Sequence, residues 1–299
     1  MSRYVAEGDA ASNEGIEMSV NAPRLGQDAR RQAVVRLLDS RDSVSVSELA
    51  TSFAVSEVTI RADLSELARQ GLVARVRGGV RALQPEQSEV AFDQRLRIEP
   101  DRKRAIARAA ADLVEEGEAV ALDSSTTAYY LALELRTKRE IVVVTNGLLV
   151  AAALADAPGI TVLLTGGMLR PAAMSLVGER ATNVLRTTHI NKGFLGARGL
   201  TLQRGLMDLN PDEVAVKTEM ANACHHVYGI LDTTKWHRSA LLTFAPTPTI
   251  HTIITNHDAP TDETQAWQAA GIHITTTPPT PQPTPPPKPP DLRRNVALR

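Results

Sequence analysis

Apolar positions recur along this chain with two different rhythms. In residues 45–81, SVSELATSFAVSEVTIRADLSELARQGLVARVRGGVR, the rhythm is helical at first. Ser45 followed three residues later by Glu48 forms a capping-box pattern, each side chain answering a backbone N–H that a new helix leaves unpaired. Leu49, Ala50 and Phe53 give that short helix an apolar face. Ala54-Val55-Ser56 makes a turn, and Ser56 is a good N-cap for a second helix. There Ile60, Leu64 and Leu67 recur at i, i+4 and i+7, a core-facing stripe. Gly71 is placed to stop the helix. Leu72 to Arg77 then alternates like a strand, and Gly78-Gly79 turns it. The pattern predicts a winged helix-turn-helix, with double-stranded DNA as its partner.

The second rhythm begins near residue 101. A helical period runs from about Asp101 to Glu115, with Ile106, Ala109, Ala110 and Leu113 on one side, and Pro100 fits its first turn. Short apolar runs follow at Ala119–Leu122, Ile141–Thr145, Ile160–Thr165, Gly193–Ala197, Val227–Leu231 and Ile250–Thr255. Helical stretches at Thr127–Leu135, Leu148–Ala155 and Asp212–Cys224 separate several of them. Runs apolar throughout, alternating with helices, predict an α/β fold with a parallel sheet buried on both faces. The expected organisation is a disordered extension (1–25), a winged helix-turn-helix (26–82), a linker (83–100), an α/β domain (101–275) and a disordered tail (276–299). The tail follows from TTTPPTPQPTPPPKPP, whose prolines lack the N–H that helices and interior strands require.

The second helix can be read face by face. At ~100° per residue, with Ile60, Leu64 and Leu67 inward, Val58, Ala62, Ser65 and Arg69 point outward, flanked by Thr59 and Arg61. The first residues of such a helix are those that reach base edges. Four arginines (Arg69, Arg75, Arg77 and Arg81) and no acid lie between Leu67 and Leu83, a run suited to phosphate contacts. The expected DNA-facing set is Ser56, Val58, Thr59, Arg61, Ala62, Ser65, Arg75, Arg77 and Arg81. A merely solvated face is the bland alternative; the capped helix pair beside the basic hairpin argues against it.

Charge and composition narrow the picture. The net charge is −1, so basic character is local to the hairpin. Aromatic residues are 3% of the chain, which counts against single-stranded nucleic-acid binding by stacking. One cysteine, Cys224, excludes an internal disulfide and suits a reducing compartment. No apolar run is long enough to span a membrane, and no signal-peptide pattern opens the chain. Cys224-His225-His226 lacks a second ligand cluster, so no metal site is expected, and no cofactor motif is present. Glu115, Glu116 and Glu118 read as a solvated face.

Ligands of parallel sheets bind beyond the C-terminal strand ends, and that is where the informative polar residues fall. Asp123, Ser124, Ser125, Thr126 and Thr127 leave one strand and open a helix, a ready anion site. By itself such a segment is more often only a cap. Thr145 and Asn146 end the next strand, Gly166 and Gly167 the third, with Arg170 close behind. Lys217 lies on a helix, and Asp232 and Lys235 follow a later strand. Converging hydroxyls, glycines and cations suit a phosphorylated polyol: N–H and cation donors for phosphate, Asp and Asn for hydroxyls. The loop carrying Gly205 and Asp208 reads equally as a lid or a surface turn.

Taken in order, VSVSELATSFAVSEVTIRADL, GLVARVRGGV, ALDSSTTAYYLA, VVVTNGLLVA, LLTGGMLRPAAMSLVG, KGFLGARGL and VYGILDTTKW resemble the DeoR family of bacterial transcriptional regulators over roughly residues 28–275. Two positions depart from the family pattern: Ala62 stands where an Arg or Lys is usual, and Arg77 where a His commonly precedes the two glycines. The resemblance implies a cytoplasmic, homo-oligomeric (dimeric or tetrameric) repressor of a sugar or polyol operon, released by a phosphorylated sugar. It also implies an effector domain similar to ribose-5-phosphate isomerase. The alternative is a sugar-phosphate isomerase or deaminase with a DNA-binding appendage. Such an enzyme needs a positioned general base, and Asp123, Asp208 and Asp232 stand in no acid–base arrangement recognisable from sequence.

Overall fold

A computed structural model describes residues 26–39, 43–69, 73–76, 79–82, 91–279 and 285–287. The N-terminal unit comprises α1 (Gln27–Asp39), β1 (Val44–Ser45), α2 (Val46–Ser52), α3 (Glu57–Arg69), β2 (Val73–Val76) and β3 (Gly79–Ala82). The capping box forms: Ser45 Oγ accepts from Glu48 N at 3.1 Å, and Glu48 Oε2 accepts from Ser45 N at 2.8 Å. Ile60, Leu64 and Leu67 are buried with Val34, Leu38, Val44, Leu49, Val73 and Val80 in one core. Two elements escape the periodicity reading. Strand β1 pairs antiparallel with β3, where a Cβ on Gly79 would stand 2.4 Å from Val44 O, so only glycine allows this approach. Helix α1 docks through a buried ion triad, Asp63 of α3 taking Arg30 Nε at 2.7 Å and Arg31 Nε at 2.9 Å. The helix stop at Gly71 and the turn at Gly78 lie outside the described residues, as do residues 1–25.

The C-terminal unit opens with α4 (Phe92–Arg97) and α5 (Pro100–Ala111). Then come β4 (Ala119–Leu122), α6 (Thr126–Leu135), β5 (Ile141–Thr145), α7 (Leu148–Leu154), β6 (Ile160–Leu164), β7 (Met168–Arg170) and β8 (Ser175–Val177). The chain continues through α8 (Glu179–Arg186), β9 (Ile190–Leu195), β10 (Gly199–Thr201), β11 (Gly205–Asp208), α9 (Pro211–Ala223) and β12 (Cys224–Ile230). It closes with β13 (Leu242–Ala245), β14 (Thr252–Asn256), α10 (Thr261–Ala269) and β15 (His273–Thr277). Seven strands form a parallel sheet in the order β15-β14-β12-β9-β4-β5-β6. Val120 and Leu122 of β4 face one apolar core, while Ala121 faces the other, so the sheet is covered on both sides as its runs predicted.

Four expectations need correction. The segment read as a linker contains α4, whose Phe92 and Leu96 are buried in the first core, one turn apart. Helix α5 ends at Ala111, so Leu113 is exposed and Val114 is buried in its place. Thr275 to Thr277, read as the start of the tail, belong to β15, whose pairing partner β14 supplies the parallel ladder that a polar sequence does not announce. Beyond it, Pro285 O accepts from Arg104 at 3.1 Å. Among the described residues no helix is long and apolar enough to cross a membrane, and no three His, Cys, Asp or Glu side chains cluster as metal ligands. Glu118, read as solvated, pairs with Lys192 at 2.7 Å.

Candidate functional site

The chain leaves β4 for β5 and β6 on one side and returns at β9 on the other. This reversal opens a crevice at the C-terminal ends of two adjacent strands, the usual ligand position of such sheets. Asp123, directly after β4, is fully buried there. Its carboxylate accepts from Gly196 N at 3.0 Å across the crevice and from Ser125 N at 3.1 Å. A Cβ on Gly196 would lie 2.5 Å from Ser125 Cβ, so the two strand ends meet only because that position is glycine. Lys217 reaches in from α9, its Nζ 3.0 Å from Asp123 Oδ2, 2.7 Å from Asp208 Oδ2 and 2.9 Å from Gly196 O. Burial works against the Lys217 charge, but Asp208 and Asp123 outweigh it and raise its pKa, so the ammonium stays protonated. Burial likewise pushes the Asp208 carboxyl up; the Lys217 charge and hydrogen bond, with Arg198 and the Leu209 N–H, hold it below the usual carboxylate range.

One helical turn before Lys217, Glu213 is also buried. Its Oε1 takes Arg170 at 2.8 Å and the Ser175 hydroxyl, and its Oε2 takes Ser124 Oγ at 3.3 Å. Arg170 and Ser175 are directly opposed in the β7–β8 hairpin. Arg95, Ser124, Ser125, Ala173, Arg198, Asp208, Glu213 and Lys217 line a narrow cleft over the crevice. Arg95 projects from α4 and has a buried Nε with no hydrogen-bond partner. Burial, and then Arg198, draw its pKa down to about 10, which leaves it charged near neutrality. Asn146 Oδ1 is a buried acceptor that likewise lacks a hydrogen-bond partner, and Asp232 Oδ2 accepts no hydrogen bond but faces Lys235 Nζ.

Of the residues expected in this site, Ser124, Ser125 and Lys217 line the cleft, Asp123 lies buried beneath it against Lys217, and Arg170 joins it through Glu213. Others have local duties. Ser125 Oγ caps α6 by accepting from Ala128 N, Thr145 Oγ1 accepts from Gly147 N, and Thr126 and Thr127 are buried in the first turn of α6. Gly166 and Gly167 turn into β7 with φ of +75° and +114°. Asp232 and Lys235 sit beyond β12, outside the lining of this cleft. Their mutual Nζ–Oδ2 distance is 3.9 Å. Arg95, Arg198, Ser175 and Glu213 were not anticipated. The Glu213/Lys217 pair at i, i+4 on one buried helix face was the available signal. Asp208, weighed as part of a lid or turn, is a strand residue paired with Lys217.

On the N-terminal unit, Val58, Arg61, Ala62 and Ser65 form the exposed face of α3, Val58 at 77% of its full exposure. Ser56 Oγ caps α3 by accepting from Thr59 N at 3.1 Å. Arg61 pairs with Glu57 at 3.0 Å, and both line a groove of about 480 Å³ with Val46, Ser47, Leu64, Val76 and Gly79. Arg75 and Arg81 lie on the paired strands β2 and β3. Their side chains, that of Arg69, and the whole of Arg77 lie outside the described structure.

Two family models match this chain: a DeoR-like helix-turn-helix domain at residues 30–86 and a DeoR C terminal sensor domain at residues 98–257. The HTH-type transcriptional regulator GolR of Listeria innocua is 33% identical over 82% of this chain and 96% of its own length. An Escherichia coli O157:H7 protein named as an aga operon transcriptional repressor is 32% identical over 83% of this chain and 93% of its own. The glycerol-3-phosphate regulon repressor of Escherichia coli K12 is 29% identical over 79% and 92%. Among solved structures, ribose 5 phosphate isomerase A from Neisseria gonorrhoeae overlays 47% of this chain and 54% of its own at 17% identity and a TM-score of 0.35. The eIF2B delta subunit from Chaetomium thermophilum overlays 75% and 70% at 15% identity and a TM-score of 0.40. Overlays this loose carry no functional argument.

Proposed function

The chain belongs to the DeoR family of transcriptional regulators, and from that premise we propose that it represses a sugar or polyol operon and is released from its operator by a phosphorylated sugar or polyol. The observation that carries the effector reading is the mixed set of unanswered groups around the crevice. Arg95 brings a buried guanidinium N–H without an acceptor into the cleft, and Asn146, at the end of the adjoining strand β5, brings a buried oxygen without a donor. Buried polar groups are normally paired. An acidic group with hydroxyls beside it would answer both kinds. The operon names borne by relatives, glycerol 3-phosphate among them, favour the same ligand class.

The exposed face of α3, with Ser56, Thr59, Arg61 and Ala62 at its start, would meet base edges, and Arg75, Arg77 and Arg81 would meet phosphates. A single winged helix covers few base pairs, so the working form is a dimer or tetramer reading half-sites ~34 Å apart or a multiple of that. It acts in the cytoplasm, where operator and metabolite meet. The effector regulates only through its different affinities for the DNA-competent and incompetent arrangements.

The enzymatic alternative is weakened by Lys217, held protonated between two carboxylates and so unfit as a base or neutral nucleophile. Sugar phosphates and their unphosphorylated parents, each added to purified protein while unfolding temperature and product are followed together, test the reading. Stabilisation by a phosphorylated compound alone, without turnover and with release of bound DNA, is expected. Turnover at ordinary enzyme rates would favour the isomerase instead, and equal stabilisation by the free sugar would remove the phosphate from the account.

A further inference from the structure

The β7–β8 hairpin joins two places that are otherwise separate. On its inner side, the opposed residues Arg170 and Ser175 both grip the Glu213 carboxylate within the cleft. At its tip, Ala172 O accepts from Phe92 N at 2.9 Å, the first residue of α4. Ala173 lines the cleft, and Met174, held at φ +52°, packs against the core cluster that contains Phe92 and Leu96. Helix α4 is the first described element after the winged helix, and its own Arg95 returns to the same cleft. Its far end is fastened independently: Lys103 Nζ donates to Arg95 O at 2.7 Å and to Ile98 O, and Tyr130 OH to Leu96 O at 3.3 Å. The start of α4 is therefore bonded to the hairpin tip, and the Arg170–Ser175 side of the hairpin to Glu213, while its other side is held by Leu148 N donating to Met174 O and Leu176 N to Asn146 O, both at 2.8 Å.

We propose that Glu213 is the positioning residue of the regulatory response: its carboxylate latches the hairpin onto α9, and the latched hairpin fixes the entry of α4, the element through which the cleft acts on the winged helix. A ligand entering the cleft competes for Arg170, Ser175 and Ser124, the donors that Glu213 already occupies. Taking any of the hairpin pair loosens the tip and frees Phe92. Glu213→Gln removes the charge that holds Arg170 while keeping an oxygen for Ser175, so it weakens the latch from the Arg170 side, and Ser175→Ala weakens it from the other.

Hydrogen exchange on the full-length protein tests the latch without any effector, so its outcome is separate from that of the phosphosugar reading on which the regulatory role rests. Glu213→Gln and Ser175→Ala are each compared with wild type at the amides of residues 92–97. Exchange there is expected to rise by about five-fold or more, the loss of roughly one backbone hydrogen bond, while the strands of the central sheet keep their protection. Arg186→Gln, which cuts the exposed tie between Arg186 of α8 and Glu219 of α9, should leave residues 92–97 unchanged. Faster exchange confined to the hairpin would overturn the proposal. An equal rise at 92–97 in Arg186→Gln would also overturn it, showing general loosening of α9. If Glu213→Gln does not fold, Ser175→Ala decides by the same criterion.

Discussion

Replacing Lys217 with Met keeps most of the side-chain volume and removes the charge on which the crevice is organised. Lys217 is 4% exposed and Asp123 not at all, so water does little to screen what is left behind. Asp123 keeps its bonds from Gly196 N and Ser125 N but loses its counter-charge, and Asp208 is left with Arg198 at 3.9 Å. Removing one partner of a buried pair costs about 3–5 kcal/mol. For a domain of this size that corresponds to a fall of roughly 6–20 °C in unfolding temperature. The pH dependence gives a second check. In the wild type, Asp208 is held below the usual carboxylate range, so its stabilisation is complete above the unfolded value near ~3.9 and is lost as pH falls through the lower folded value. In the variant the Asp208 carboxyl loses its nearest cation, so burial draws it upward from its wild-type position; its cost is greatest near neutral pH and is relieved as pH falls. The deficit should therefore shrink between about pH 7.5 and pH 5. Both tryptophans of the chain, Trp236 and Trp267, are buried in the C-terminal unit. Their fluorescence in urea melts thus reports this unit alone. A loss below about 1 kcal/mol, or one that does not change with pH, would refute the electrostatic account.

In the winged helix, Asp63→Asn should strip α1 of its anchor by leaving Arg30 and Arg31 without the carboxylate they share. A loss of about 3 kcal/mol should appear as faster exchange across α1 and α3, with tryptophan fluorescence unmoved. Ala62 is exposed at the centre of the outward face of α3, so Ala62→Arg should steepen log affinity against log salt by about one ion; an unchanged slope would place the position away from DNA. Burial pushes the Cys224 thiol up to about 12, and its thiolate is then scarce at neutral pH. Native protein should accordingly react with a disulfide reagent far more slowly than urea-unfolded protein, and equal rates would contradict the burial.

Much of this architecture was legible because strand runs such as IVVVT and helix stripes such as Ile60, Leu64 and Leu67 carry their own period. What escaped lacks one. Helix α4 is a single turn and a half with two apolar residues, and its helicity is decided by Phe92 and Leu96 meeting a core built elsewhere. Strand β15 reads HITTT, and only the ladder from β14 distinguishes it from the proline-rich segment that follows. Helix α1 spends two of its residues on Asp63, a partner more than thirty positions away. The same division holds in the cleft. Asp123 and Ser124 were readable from a strand-end loop. Glu213 looks like an ordinary carboxylate in the first turn of a helix until Arg170, Ser175 and Ser124 are seen to surround it.

The crossing of the crevice also governs when the cleft can form during synthesis. Asp123 lies 73 residues before its donor Gly196, and Ser124 lies 89 before Glu213. A ribosome that has released β4, β5 and β6 has therefore made half of a sheet and none of the far wall of the cleft. Neither wall can be satisfied until α9 has docked, so the cleft is among the last features a growing chain acquires. Any ligand of this cleft would accordingly stabilise the completed domain as one cooperative unit, and a truncated or half-folded chain would have no cleft to offer it.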